Sequence, residues 1–319
     1  MSIAAPSRSS RNTRGNAGTT GTGATTGAAR GSRGSRGTRR NSSVRTTGPL
    51  AWLSHFGVWA YVLLLAVPLY YLVISAFKSN IGILSAPFSP IAGFDLGNFG
   101  KAISQANLIP ALGNQAYITI GANVLTLVLA VPAAFALARA KGKLGVVIER
   151  VFAMGFLIPG FAALVPTVML AIGMNLFHTR EFLILFLPAS AMPISVILLT
   201  QAMRAVPAEL EESAVLDGAG QFRTLRSVYL PLCVPTVVVV TILNFLSFWN
   251  EYFFSLVIIG PDPALRTAQV ALPTLSLANA SQYGVLAAGI LITLVPVYVL
   301  YAFFSDKMEG AVLAGAVKG

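Results

Sequence analysis

Cysteine is nearly absent from this chain: Cys233 stands alone among 319 residues, which excludes an internal disulfide framework and any metal site built on cysteines. Histidine is almost as scarce. His55 and His178 are the two histidines, and neither has a second plausible ligand near it in sequence, so a metal centre has little to be built from. Charge is thin, with Asp, Glu, Lys and Arg together making up 10% of the residues. The pattern G-x-x-x-x-G-K-[ST] is missing, so the chain has no P-loop for binding ATP. A soluble catalytic domain has nowhere to sit, because no long polar segment with its own apolar periodicity occurs.

What fills the chain instead is apolar. A hydrophobic fraction of 55% and a mean hydropathy of +0.74 accompany several uncharged apolar runs. About 20 residues at about 1.5 Å rise each cross a bilayer core, so these runs read as membrane-spanning helices. They fall near 54–77, 115–138, 151–173, 182–203, 232–257 and 283–304, which predicts an all-α polytopic membrane protein with six spans. The first run is too long for the core of a signal peptide and is expected to remain as the first span. No paired carboxylates, histidine cluster or Ser/His set share a depth in these spans, which argues against an intramembrane enzyme.

The formal charge of +11 is unevenly placed. Residues 1–50 hold nine of the 22 basic residues (Arg8, Arg11, Arg14, Arg30, Arg33, Arg36, Arg39, Arg40 and Arg45) and no acidic one. Taking nine from 22 leaves 13 basic residues against 11 acidic in the rest, a nearly neutral body. The Gly, Ser, Thr and Arg composition of 1–50 predicts a disordered tail. It has no interleaved aromatics for stacking bases, so nucleic acid is not an expected partner. Positive residues are retained on the cytoplasmic side of membranes, which sets the orientation. With the N-terminus inside, the inner segments hold eighteen Lys and Arg, and the outer ones hold four: Lys78, Lys101, Arg180 and Arg266. Both termini, including a tail at 307–319, are therefore expected in the cytoplasm. The first span with its outer loop covers 51–111, and a five-helix core covers 112–306.

One inner segment is out of keeping with the rest. In "ELEESAVLDGAGQFRTLRSVYLPL", residues 209–232, Glu209, Glu211, Glu212 and Asp217 fall within nine positions and are followed by Arg223 and Arg226. Pro207 suits a first helical position, and the glutamates then sit at the positive end of the helix dipole. Gly218 suits a left-handed cap that reverses the chain. Phe222, Leu225 and Tyr229 fall on one face of a second helix, expected to lie at headgroup level, with Pro231 marking entry to the fifth span. A rigid helix-turn-helix protruding from a membrane domain is a natural docking surface, whereas a plain polar loop explains only the charge.

The order Glu212-Ser213-Ala214, three residues, Gly218, nine residues, Val228-Tyr229-Leu230-Pro231 resembles the E-A-A, three residues, G, nine residues, I-x-L-P pattern of ABC importer permeases, with Ser213 and Val228 as mild departures. The family's Asp-Gly-Ala stands here as Asp217, Gly218 and Ala219. "FWNEYFFSLVI" at 248–258 is similar to the fifth-span segment of maltose-type permeases, and "LAGAVKG" at 313–319 resembles their C-terminal ending, although the usual Gly-Leu-Thr before it reads Ala311, Val312 and Leu313. The resemblance covers about 55–319. It implies a type I ABC importer permease fold with a cytoplasmic coupling helix at 207–220. It also implies carbohydrate uptake across the cytoplasmic membrane of a prokaryote, with two cytoplasmic ATPase subunits, a second permease subunit and an extracytoplasmic solute-binding protein as partners, in contact with membrane lipid. ATP and Mg would bind on the ATPase, and no cofactor on this chain. By the same resemblance, Glu212 through Gly218 form the coupling helix, Glu212 the acidic contact and Ala214 the small residue allowing close approach.

The alternative is a transporter that works alone on an ion gradient, which places ionisable residues inside its spans. The one carboxylate clearly within an apolar run is Glu251, beside Asn250 near the outer end of the fifth span. These two residues are candidates for an outer-vestibule or helix-positioning role and for the translocation path.

Overall fold

A computed structural model describes residues 49–90, 93–277 and 282–316. The tail expected at 1–50 lies outside the described residues except for its last two, which open the first helix, and 317–319 also lie outside them. Every element described below from residue 57 onward belongs to one compact unit, Gly57–Gly319.

Among the described residues the architecture is all-α, with one isolated bridge between Lys78 and Phe94 as its single β feature. In chain order the helices are α1 (Pro49–Ala76), α2 (Asn80–Ser85), α3 (Gly97–Gln105), α4 (Leu108–Arg139), α5 (Lys143–Met154), α6 (Leu164–Gly173), α7 (Arg180–Arg204), α8 (Ala208–Leu216), α9 (Gln221–Thr224), α10 (Leu230–Trp249), α11 (Phe253–Ile258), α12 (Ala268–Ala271), α13 (Thr274–Leu277) and α14 (Tyr283–Ala316). Five helical runs are long and apolar enough to cross a membrane, and the bent pair Lys143–Leu157 and Gly160–Gly173 makes a sixth crossing if counted as one. α4 and α7 form the most extensive helix pair and carry the core. Ala111, Ala122, Ala130 and Ala134 on α4 are fully buried, the small-residue packing by which helices associate where lipid supplies no hydrophobic drive. α1 is the opposite case: only 6% of its spanning window is buried, and Trp59, Leu63 and Leu64 stand exposed.

The third and fifth spans differ from the single runs expected at 151–173 and 232–257. The third bends by 94° between Leu157 and Gly160. Pro159 lacks an N–H and pushes the residue before it out of the helical region, and Ile158 accordingly sits at φ −83°, ψ 110°. The helix also begins earlier, at Lys143, so the inner connection shrinks to Ala140–Gly142. In the fifth span a continuous helical run, Gln221–Trp249, replaces the separate headgroup-level helix and the entry at Pro231. A π turn at Leu225–Tyr229 joins α9 to α10, with the Leu230 N–H bonding back five residues to Leu225. Widening by one residue accommodates Pro231, whose ring would otherwise meet the carbonyl four residues back and which has no N–H to offer it. The same run then breaks at 250–252 before α11. At the C-terminal side α14 continues to Ala316, through most of the segment expected as a tail at 307–319.

The loop expected at 78–114 is knit into the body. Asn98 Nδ2 donates to the Ala76 and Lys78 carbonyls, at 3.1 and 2.8 Å, satisfying carbonyls left over at the end of α1. Lys78, counted from sequence among the cations of the outer connections, is fully buried at 0% exposure. Its Nζ donates to the Ala86 and Pro87 carbonyls at 2.8 and 3.1 Å. α14 begins directly against this knot, where a Cβ at Gly284 would run into the Lys78 carbonyl oxygen and Asn98 Nδ2. Gly284→Ala is therefore expected to cost about 1–3 kcal/mol by overpacking, seen as a lower thermal midpoint in detergent. Gly100→Ala on α3, which meets nothing within 4 Å, serves as the neutral control.

Candidate functional site

The motif residues gather on α8 and the turn after it. Pro207 stands just outside the helix as its N-cap residue, with Ala208 as the first helical one, a one-position change from the expected start. Glu209 and Glu211 fall in the first turn, where the free N–H groups favour negative charge. The C-terminus closes as the sequence suggests. Gly218 has φ +77°, its N–H bonds to the Val215 carbonyl at 3.0 Å, and the Ala219 N–H reaches the Ala214 carbonyl at 2.9 Å. These two bonds are the Schellman pair that satisfies the last carbonyls and turns the chain. Ser213, in the place of an alanine, folds its hydroxyl onto the Glu209 carbonyl at 2.7 Å, so the substitution adds no unpartnered polar group.

Neighbouring glutamates on α8 point to different worlds. Glu212, Ser213, Asp217 and Gly218 are exposed, and Ala214 and Ala219 half-buried. Glu211 turns inward, where Arg139 at the end of α4 pairs with its Oε1 and the Tyr229 hydroxyl donates to its Oε2. The Arg139 guanidinium lies over the Phe135 ring, 4.8 Å from its centroid, and Phe135 meets Tyr229 edge to face at 5.0 Å. Leu230 is half-buried and Pro231 exposed. The outer rim of the segment is not purely polar: Leu216 is 88% exposed, and Val215 and Phe222 are exposed as well. Phe222 thus leaves the face it was expected to share with the buried Leu225 and Tyr229. Between α8 and the ends of α4 and α7 lies a cavity of about 1070 Å³, lined by Arg139, Lys141, Arg204, Glu211, Glu212 and Tyr229 among others. Nearby, Arg204 grips Glu149 of α5 with both terminal nitrogens, at 3.1 and 2.8 Å.

Asn250 and Glu251 lie just past the end of the run Gln221–Trp249, which is 29 residues or about 44 Å long and whose other end follows α8. The structure gives the two different settings. Asn250 is exposed on a cavity of about 680 Å³ shared with Tyr252, Gln269, Ser276 and Thr293. Glu251 is consumed locally: Oε1 accepts the Phe254 N–H, and Oε2 accepts the Ser255 N–H and hydroxyl, all at 2.8 Å. The carboxylate thereby caps the N-terminus of α11 and stabilises the break.

Sequence reasoning passed over the polar residues that position these ends. On α4, Gln115 Nε2 donates to the Phe248 carbonyl at 3.2 Å and Asn123 Nδ2 to the Thr241 carbonyl at 2.9 Å, pinning the fifth span just before its break. Asn114 bonds the Ala264 and Arg266 carbonyls and accepts from Arg180 at 2.8 Å. Amides inside apolar runs were the available signal. In the connection before α3, the Asp95 carboxyl is held below the usual carboxylate range by the Gly97 N–H and then by Lys101. Glu251→Ala uncaps α11 and is expected to cost about 1–2 kcal/mol. Thermal unfolding in detergent checks this, and Glu251→Gln, which keeps one acceptor, should lose less.

Residues 126–308 match the family described as binding-protein-dependent transport system inner membrane component. The diacetylchitobiose uptake system permease protein NgcG of Streptomyces coelicolor is 31% identical, over 83% of this chain and 88% of the relative. The probable starch degradation products transport system permease protein AmyC of Thermoanaerobacterium thermosulfurigenes is 28% identical, over 79% of this chain and 91% of the relative. Among solved structures, a chain of a bacterial ABC transporter involved in the import of the acidic polysaccharide alginate superposes with a TM-score of 0.68 at 20% identity, covering 81% of this chain and 95% of that one, a likeness of fold. The chain is thus a multi-pass membrane protein with the type I permease fold, and it belongs to the family of binding-protein-dependent transport system inner membrane components.

Proposed function

We propose that this chain is the permease subunit of an ATP-driven importer for a sugar or oligosaccharide, and that α8 is the handle by which a cytoplasmic ATPase moves it. The observation that carries the reading is the exposed rim of α8. Glu212, Ser213 and Asp217 face outward on a helix closed by the Gly218 turn, so the segment is stiff where a partner would grip it. Ala214 and Ala219 allow close approach beside that rim, while Leu230 and Pro231 anchor the segment to the fifth span. Leu216 and Phe222 add apolar surface of the kind that anchors protein interfaces. The surplus of Lys and Arg on this side supports a cytoplasmic placement of α8 and of both termini in a prokaryotic inner membrane.

Partners follow from the same reading. ATP and Mg bind on two ATPase subunits, a second permease completes the pathway, and an extracytoplasmic solute-binding protein delivers the substrate. The carbohydrate assignment rests on the names of the relatives, which concern diacetylchitobiose, starch degradation products, and melibiose, raffinose and stachyose. Asn250 is the better candidate for the translocation path, because its amide is exposed on a cavity that already holds Tyr252 and Gln269. Amides and aromatic rings suit hydroxyl-rich ligands. Glu251 is the weaker one, with both oxygens already engaged. That engagement also disfavours the ion-gradient alternative, which needs a carboxylate free to exchange a cation.

Two measurements test this. Glu212→Lys and Gly218→Pro are expected to release the ATPase subunit during co-purification and to abolish uptake, and stable pairing with intact uptake in both variants would remove the docking assignment. Uptake by whole cells of a panel of labelled mono- and oligosaccharides should be competed by carbohydrate alone; transport of amino acids or metal ions instead would reject the substrate class.

A further inference from the structure

We propose that Glu211, rather than its neighbour Glu212, is the positioning residue that fixes α8 to the membrane helices, through a clamp with Arg139 and Tyr229 that delivers the motion of α8 to α4 and the fifth span together. The inference rests on α8 being the segment that the ATPase moves. A helix of nine residues is marginal by itself and holds its place only through tertiary contacts. Among the described residues, Glu211 supplies the polar side-chain links from α8 to the spans, since the other side-chain bond on α8, from Ser213, stays within the helix.

The geometry of those links is what makes Glu211 more than a surface ion pair. Each carboxylate oxygen goes to a different span: Oε1 to Arg139, the last residue of α4, and Oε2 to Tyr229, the last residue of the π turn leading into α10. The two partners are themselves joined through Phe135, which takes the guanidinium on its face at 4.8 Å and the Tyr229 ring edge to face at 5.0 Å. Four side chains thus close a ring that a rotation of α8 cannot deform at one point without straining the others. The ion pair is largely withdrawn from solvent, with side-chain exposures of 29% for Arg139 and 20% for Glu211, so it is less screened than an exposed pair. The same end of α4 is gripped a second time, where Arg204 reaches the Leu137 carbonyl at 3.5 Å while holding Glu149 of α5. A pull on α8 therefore arrives at an α4 terminus already tied to α5 and α7. Adjacent glutamates divide the labour, Glu212 toward the partner and Glu211 toward the spans.

The test uses the complete transporter, purified with its ATPase, companion permease and binding protein and placed in lipid nanodiscs. Nitroxide labels at Glu209→Cys and Lys141→Cys, in a Cys233→Ala background, report the distance between α8 and the end of α4 with and without ATP and vanadate. With the clamp intact, one narrow distance is expected in both states. In Glu211→Gln and Tyr229→Phe the distance should broaden or change between states, and ATP hydrolysis stimulated by the binding protein should fall on the order of ten-fold, while the ATPase subunit remains bound. The charge swap Glu211→Arg with Arg139→Glu should restore most of the stimulation, which a simple loss of folding in the single variants could not allow. Unchanged distances and stimulation in Glu211→Gln, or no recovery in the swap, overturn the clamp. Loss of the ATPase from Glu211→Gln also overturns it, because Glu211 would then be a docking contact, with the docking role of α8 left standing. Stable pairing with intact uptake in both Glu212→Lys and Gly218→Pro removes that docking role instead, and with it the source of the motion.

Discussion

Hydrocarbon offers no hydrogen bonds, so each carbonyl or N–H freed by an interruption in a spanning helix must find its partner within the protein. The structure is organised around its interruptions. The end of α1 is answered by Asn98, which gathers the Ala76 and Lys78 carbonyls. The break after Trp249 is answered by Glu251 from one side and by Gln269, whose Nε2 donates to the Trp249 carbonyl at 3.1 Å, from the other. Gln115 reaches the Phe248 carbonyl at the same place. At both places a polar side chain supplies the partner that the interrupted backbone lacks.

Those interruptions divide the fifth span into a stiff rod with a distinct fitting at each end. At one end the π turn and Tyr229 meet α8. At the other, the 250–252 break opens Asn250 to a cavity. Between them, Val238, Val240 and Ile242 are buried, and Asn244 bonds Ser195 of α7 at 3.1 Å, so one face of the rod is packed against its neighbours. On the proposed reading of α8 as the docking segment, this continuous helix joins it to the cavity at Asn250.

Much of this was readable from residue order. Apolar run lengths agree with five helices long enough to cross and with the bent pair at 143–173, because the bilayer thickness sets a length that composition alone can meet. Gly218 was readable as a left-handed cap, and its φ of +77° agrees, because only glycine takes that conformation without strain. The bends were harder to read. Hydropathy averages over a window and is blind to a 94° turn at Pro159, since the residues on either side are equally apolar. Lys78 was counted only as a cation of an outer connection; its burial depends on the Ala86 and Pro87 carbonyls, which come from beyond α2.

The sequence by itself determined that the chain lives in a membrane, where its apolar runs lie, and that the acidic segment ends in a fixed turn. These properties follow from composition, spacing and single-residue conformational limits, which are local. Only the tertiary structure decided which of two adjacent glutamates faces the spans, that Arg139, some seventy residues upstream, is the partner of Glu211, and that Glu251 caps a helix while Asn250 faces open space. Side chains next to each other on a helix diverge by about 100°, so their roles depend on how the helix is docked, and docking is set by residues far away in the chain.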